Sequence, residues 1–136
     1  MDAERTRTFL LSLPYVVESV SETVRWGDKL VFRVGDASIG GKMFAQIDFE
    51  ADGRAVLSFV AGPERFHELI EIVGVNPAPY RARLYWIALV QWNAIRDLEL
   101  KKLLGNAQAI TFAKLPKRTR NLLTGSGTAA TVVRDQ

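Results

Sequence analysis

LVFRVGDASIGGKMFAQIDFEADGRAVLSFV, running from Leu30 to Val60, is the stretch that decides the fold. Leu30, Phe32 and Val34 alternate with Val31 and Arg33, and Gly35-Asp36 supplies turn chemistry. Met43, Ala45, Ile47 and Phe49 then fall on one face, with Lys42, Phe44, Gln46 and Asp48 on the other. Asp52-Gly53, flanked by alternating hydrophobics, signals a hairpin. Ala55, Leu57 and Phe59 continue the inward face on the return. Residues 30–60 therefore read as an antiparallel meander with one face buried and one wet.

Helices flank this meander. Thr6, Phe9, Leu10 and Leu13 recur at helical spacing near the start, and Pro14 stops them. Residues 16–24 fit either period. After the meander, Pro63 and Glu64 open a helix whose stripe is Phe66, Leu69, Ile70 and Val73, closed by Gly74. Asn76-Pro77-Ala78-Pro79 is extended, because a residue before proline is pushed out of the helical region. Arg81–Gln91 is the most apolar strand, with Leu84, Trp86, Ala88 and Val90 opposite Tyr85, Ile87 and Leu89. Asp97 caps a helix ending at Gly105, and Asn106 caps another to Leu115, before Pro116. From Thr119 on, the Thr124-Gly125-Ser126-Gly127-Thr128 composition is that of a flexible end. The expected organisation is one domain over residues 1–118 and a basic tail over 119–136.

The 136 residues are 48% hydrophobic and 24% charged, proportions of a globular chain rather than a disordered one. One domain of this size buries roughly two-thirds of its unfolded surface and needs no covalent staple. With no cysteine and a single histidine, disulfides, thiolate zinc sites, iron–sulfur clusters, cysteine nucleophiles and multi-histidine metal sites are excluded. Tyr85–Val90 is the longest apolar run, far short of the ~20 residues of a spanning helix. The first residues, with Asp2 and Glu4, make a poor signal peptide, so the expected location is the cytoplasm.

In their order and spacing, certain residues resemble a known family. Trp26, Gly41-Lys42-Met43-Phe44-Ala45, Pro77-Ala78-Pro79-Tyr80, Trp86-Ile87 and Lys114-Leu115-Pro116-Lys117 together look like the MmcQ/YjbR family, over about Phe9 to Arg120. The resemblance implies an α+β fold in which helices pack on one face of an antiparallel sheet, a two-layer sandwich similar to the frataxin-like (CyaY-like) arrangement. It also implies DNA binding. Two departures stand out. Asn106-Ala107 replaces the Ser-Tyr pair that usually opens the last family helix, and the longer loop Gly35–Gly41 would suit an extended hairpin wing.

Charge locates the nucleic-acid candidates. Residues 1–110 carry 13 basic and 14 acidic side chains, whereas residues 111–136 carry 5 and 1, so the formal net charge of +3 is entirely C-terminal. Lys114, Lys117, Arg118 and Arg120 would contact phosphate, with Lys42 and Arg33 on the wet sheet face as secondary contacts. The same cations also suit a helix C-terminus or a solvated chain end. Arg81 and Arg83 extend the positive surface or simply end a strand in solvent. Gly40-Gly41-Lys42 lacks P-loop spacing and opens a strand.

The competing reading is a module that holds a protein or small ligand on an exposed sheet face, anchored by Trp26, Phe44 and Trp92. An enzyme has the least support. His67, expected to pair with Glu71 at the surface, has no serine motif, carboxylate pair or oxyanion loop beside it. No catalytic, cofactor or metal residue is assigned.

Overall fold

Asp2 opens the first helix, its carboxylate accepting from the Arg5 backbone N–H at 2.8 Å. The structure is a computed structural model that describes residues 1–23, 27–48, 55–79 and 81–125. Helix α1 (Ala3–Ser12) leads into strands β1 (Val16–Thr23), β2 (Gly27–Val34), β3 (Lys42–Asp48) and β4 (Leu57–Val60). Helix α2 (Phe66–Leu69), strands β5 (Val75–Pro77) and β6 (Trp86–Leu89), and helices α3 (Asp97–Lys114) and α4 (Lys117–Thr124) follow. The six strands make one sheet in the order β1-β2-β3-β4-β6-β5, and every pairing is antiparallel.

The sheet registers line up two apolar rows across the strands. Leu30, Ile47, Leu57, Leu89 and Val75 are successive partners in one row, and Phe32, Ala45, Phe59 and Ile87 in the next. All are buried. Across them lies α3, which touches β2, β3 and β4 through a stripe of Leu100, Leu103, Leu104, Ala107, Gln108 and Thr111. Helix α1 adds Leu10 and rests on β1 and α3. This is the α+β, helix-on-antiparallel-sheet architecture that the meander implies.

Several sequence expectations change. Phe44, expected on the wet face, has 0% exposure. Phe32 pairs with Ala45 but Arg33 pairs with Met43, so Phe44 is an extra residue in a β-bulge. The bulge breaks strict alternation and sends this ring into the core. The face opposite α3 is not wet at its centre either, since Val31, Ser58, Val60, Trp86 and Ala88 are buried there. Arg81 lies over the Trp86 ring at 5.1 Å and donates to Gln46 Oε1 at 3.4 Å. Burial lowers its guanidinium pKa.

The expected break at Gly105 does not occur. The buried stripe from Leu100 to Thr111 keeps its helical spacing straight through the glycine, and tertiary packing outweighs local propensity. Helix α2 ends at Leu69, leaving Val73 90% exposed beyond it. The strand expected over 81–91 is β6 alone, preceded by a 3-10 turn at Ala82–Leu84.

At the other end, α4 carries the fold beyond the expected boundary at 118. Thr119 is 3% exposed and donates from Oγ1 to the Ile39 carbonyl at 2.7 Å. Instead of a wing, residues 35–41 form a 3-10 turn held by Asp36, whose carboxylate accepts from the Ser38 N–H at 2.9 Å and from its hydroxyl. Those bonds hold the Asp36 pKa below the ordinary carboxylate value. Asp52-Gly53 and residues 126–136 lie outside the described residues. No described helix is long and apolar enough to cross a membrane.

Candidate functional site: a cationic cleft at the end of the sheet

Three strands meet the end of α3 at one place. Antiparallel pairing puts the start of β3, the end of β4 and the start of β6 side by side, which brings Lys42, Met43, Val60 and Trp86 together. Ile110, Thr111 and Lys114 of α3 form the facing wall, and Arg83, Leu84 and Tyr85 close one side. The cleft is about 240 Å³ and opens to solvent.

Gly62 faces the helix with a backbone that only glycine takes readily. Its φ is +88°, and a Cβ there would sit 2.8 Å from Ile110 Cδ1. The left-handed φ is what calls for glycine here, since the Ile110 tip can swing aside. The Gly62 N–H also donates to the Tyr85 carbonyl at 3.3 Å, as does the Ala61 N–H at 2.8 Å. The end of β4 thus ties the α3 wall to the Tyr85 side.

Electrostatically the cleft has one sign. Lys42, Arg83 and Lys114 line it, with no carboxylate among the described lining residues. None of the three pairs with a described carboxylate. Cations elsewhere do: Arg7 with Glu18, Lys29 with Asp48 at 3.5 Å, and Arg65 with Glu68 at 2.6 Å and Glu99 at 3.5 Å. Lys114 also closes α3, where a cation complements the helix dipole.

The remaining sequence candidates scatter. Lys42 and Lys114 share the cleft, 72 residues apart in the chain. Arg33 pairs in register with Met43 but does not line the cleft. Lys117 and Arg118 are exposed on α4, while Arg120 is half-buried with its Nε enclosed and without a hydrogen-bond partner among the described residues. Phe44 is core, so it cannot anchor a partner. Trp92 lies beyond the far end of β6 from the cleft, half-buried against the core. Trp26 lies outside the described residues. His67 meets Phe66 edge-on at 5.1 Å and makes no ion pair with Glu71, which lies past the end of α2.

The sequence does not single out Leu84 and Tyr85, and leaves Arg83 between a positive surface and a solvated strand end. The alternation of Arg81 and Arg83 suggested a continuous strand, but Tyr85 has φ +65° and turns the chain into β6. No propensity marks a tyrosine for the left-handed region. The helical spacing of Ile110, Thr111 and Lys114 was the one available signal for the facing wall.

Fold and site define a small α+β domain with a helix-backed antiparallel sheet and a cationic cleft at its end. The YjbR family model matches residues 11–107, and the chain belongs to the YjbR family. It is similar in fold to the crystal structure of Deinococcus radiodurans protein DR2400, a DUF419 domain, with TM-score 0.74 and 23% identity over 90% of this chain and 88% of that one. No curated protein shows a significant match.

Proposed function

We propose that the protein is a non-enzymatic nucleic-acid-binding domain that holds phosphate at the cationic end of its sheet. One observation carries this reading: Lys42, Arg83 and Lys114 line a single cleft with no carboxylate among its described lining residues. Unpaired cations at one site raise the local concentration of an anion and release its counterions on contact. Lys117 and Arg118, exposed on the helix that follows Lys114, offer further phosphate contacts. Affinity of this kind is independent of base sequence. The competing partner-binding reading loses Phe44 as an anchor.

Three phosphate contacts predict a log–log salt slope of about −2 on single strands and about −3 on duplex. Fluorescence anisotropy with labelled single-stranded and duplex DNA over a salt series measures it. The combined variant Lys42→Gln, Arg83→Gln, Lys114→Gln is expected to lose most of the slope and to keep its circular dichroism spectrum. Absence of binding by the unaltered protein at low salt defeats the proposal.

A further inference from the structure

The cleft is shaped for less than a duplex. At about 240 Å³ it lies below the ~300–1,000 Å³ of ordinary ligand pockets, which suits part of one nucleotide and not a paired stack. Its walls, apart from the three cations and Thr111, are apolar: Met43, Val60, Leu84, Tyr85, Trp86 and Ile110. Leu84 is 59% exposed and Tyr85 37% exposed, so the mouth presents apolar surface to solvent.

Tyr85 is held there against its own backbone preference. A non-glycine residue at φ +65° is strained and persists only where its surroundings over-determine it. Three hydrogen bonds do so. The Tyr85 N–H donates to the Ala82 carbonyl at 2.9 Å, and its carbonyl accepts from Ala61 and Gly62. Phe66 meets the ring edge-on with centroids 5.8 Å apart. The backbone bonds and the Phe66 contact therefore hold Tyr85 at the cleft before any ligand arrives, beside cations suited to phosphate. Trp86 adds little open ring, being 5% exposed with Arg81 across it.

Building on the phosphate reading, we infer that the cleft takes one unpaired nucleotide of a single strand, its base against Tyr85 and its phosphate among Lys42, Arg83 and Lys114. Stacking on an aromatic side chain tolerates any base, because every base has a π-face. Bases in a duplex keep their faces against one another and cannot enter without unpairing.

The test compares labelled oligothymidylate, an abasic strand of the same length and a duplex of the same length by anisotropy on the intact protein. Oligothymidylate is expected to bind about tenfold tighter than the abasic strand, which carries the same phosphates. Tyr85→Asn, asparagine being tolerant of the left-handed region, is expected to remove that preference and leave the salt slope unchanged. Equal affinity for oligothymidylate and the abasic strand, with the salt slope intact, overturns the base site and leaves the phosphate reading standing. If no strand binds, both fall. Competition by thymidine monophosphate at the strand's own affinity assigns the cleft to a free nucleotide and overturns the strand.

Discussion

Replacing Phe44 by alanine separates a core ring from a surface anchor. The side chain has 0% exposure at the bulge of β3. A phenylalanine buries ~150–250 Å². At about 25 cal/mol per Å² that burial contributes roughly 4–6 kcal/mol, and Phe→Ala substitutions in cores cost about 3–5 kcal/mol. A loss near 4 kcal/mol is a large fraction of the ~5–15 kcal/mol that holds a domain together. With a urea slope of about 2 kcal/mol/M, the midpoint falls by about 2 M. Urea unfolding followed through the three tryptophans reads it directly. Phe44→Leu, which keeps much of the volume, is expected to lose clearly less. Binding of DNA by the folded fraction should be unchanged. A loss below about 1 kcal/mol, accompanied by weakened binding, would show that the ring faces outward and that the bulge does not redirect it.

Gly105→Ala should stabilise the protein by up to about 1 kcal/mol in the same assay, since the position is mid-helix and a Cβ there meets nothing within 4 Å. Gly41→Ala should cost about 3 kcal/mol or more, because its Cβ would fall 1.9 Å from the Gly35 carbonyl oxygen; a neutral result would show that the 35–41 turn relaxes freely. Thr119→Val should lower stability by about 1–3 kcal/mol through the unpaired Ile39 carbonyl. Asp36 has a depressed pKa, so its contribution is present above the ordinary aspartate value of about 4 and is lost as pH falls through the lower folded value. Comparing acid unfolding of the protein with that of Asp36→Ala should show the two curves converging at low pH.

Strand period and turn residues made the 30–60 meander legible, because alternation over several residues is a strong signal and its buried set includes Leu30, Phe32, Ala45, Ile47, Leu57 and Phe59. One inserted residue escaped it. At Phe44 the period slips, and nothing local distinguishes a bulge from a continuing strand. Gly105 misled in the other direction, since a glycine that ends a helix and one that is tolerated inside it look alike; the stripe from Leu100 to Thr111 on both sides was the better guide. Charge counting brought Lys114 forward and strand alternation brought Lys42, yet their meeting depends on α3 lying against β3. Arg83 and Tyr85 reach the site through the strand order and a left-handed residue, neither of which propensity encodes.

The bond from Thr119 to Ile39 spans 80 residues of chain and carries a consequence for synthesis. A ribosome releases the first hairpins well before residues 117–124, at roughly 5–20 residues per second. For several seconds the Ile39 carbonyl and the Gly35–Gly41 turn are without the helix that covers them. The nascent domain therefore has a late step in which α4 docks onto a surface formed much earlier. A chain cut before Lys117 would hold the sheet but leave that turn open, a natural entry point for a protease.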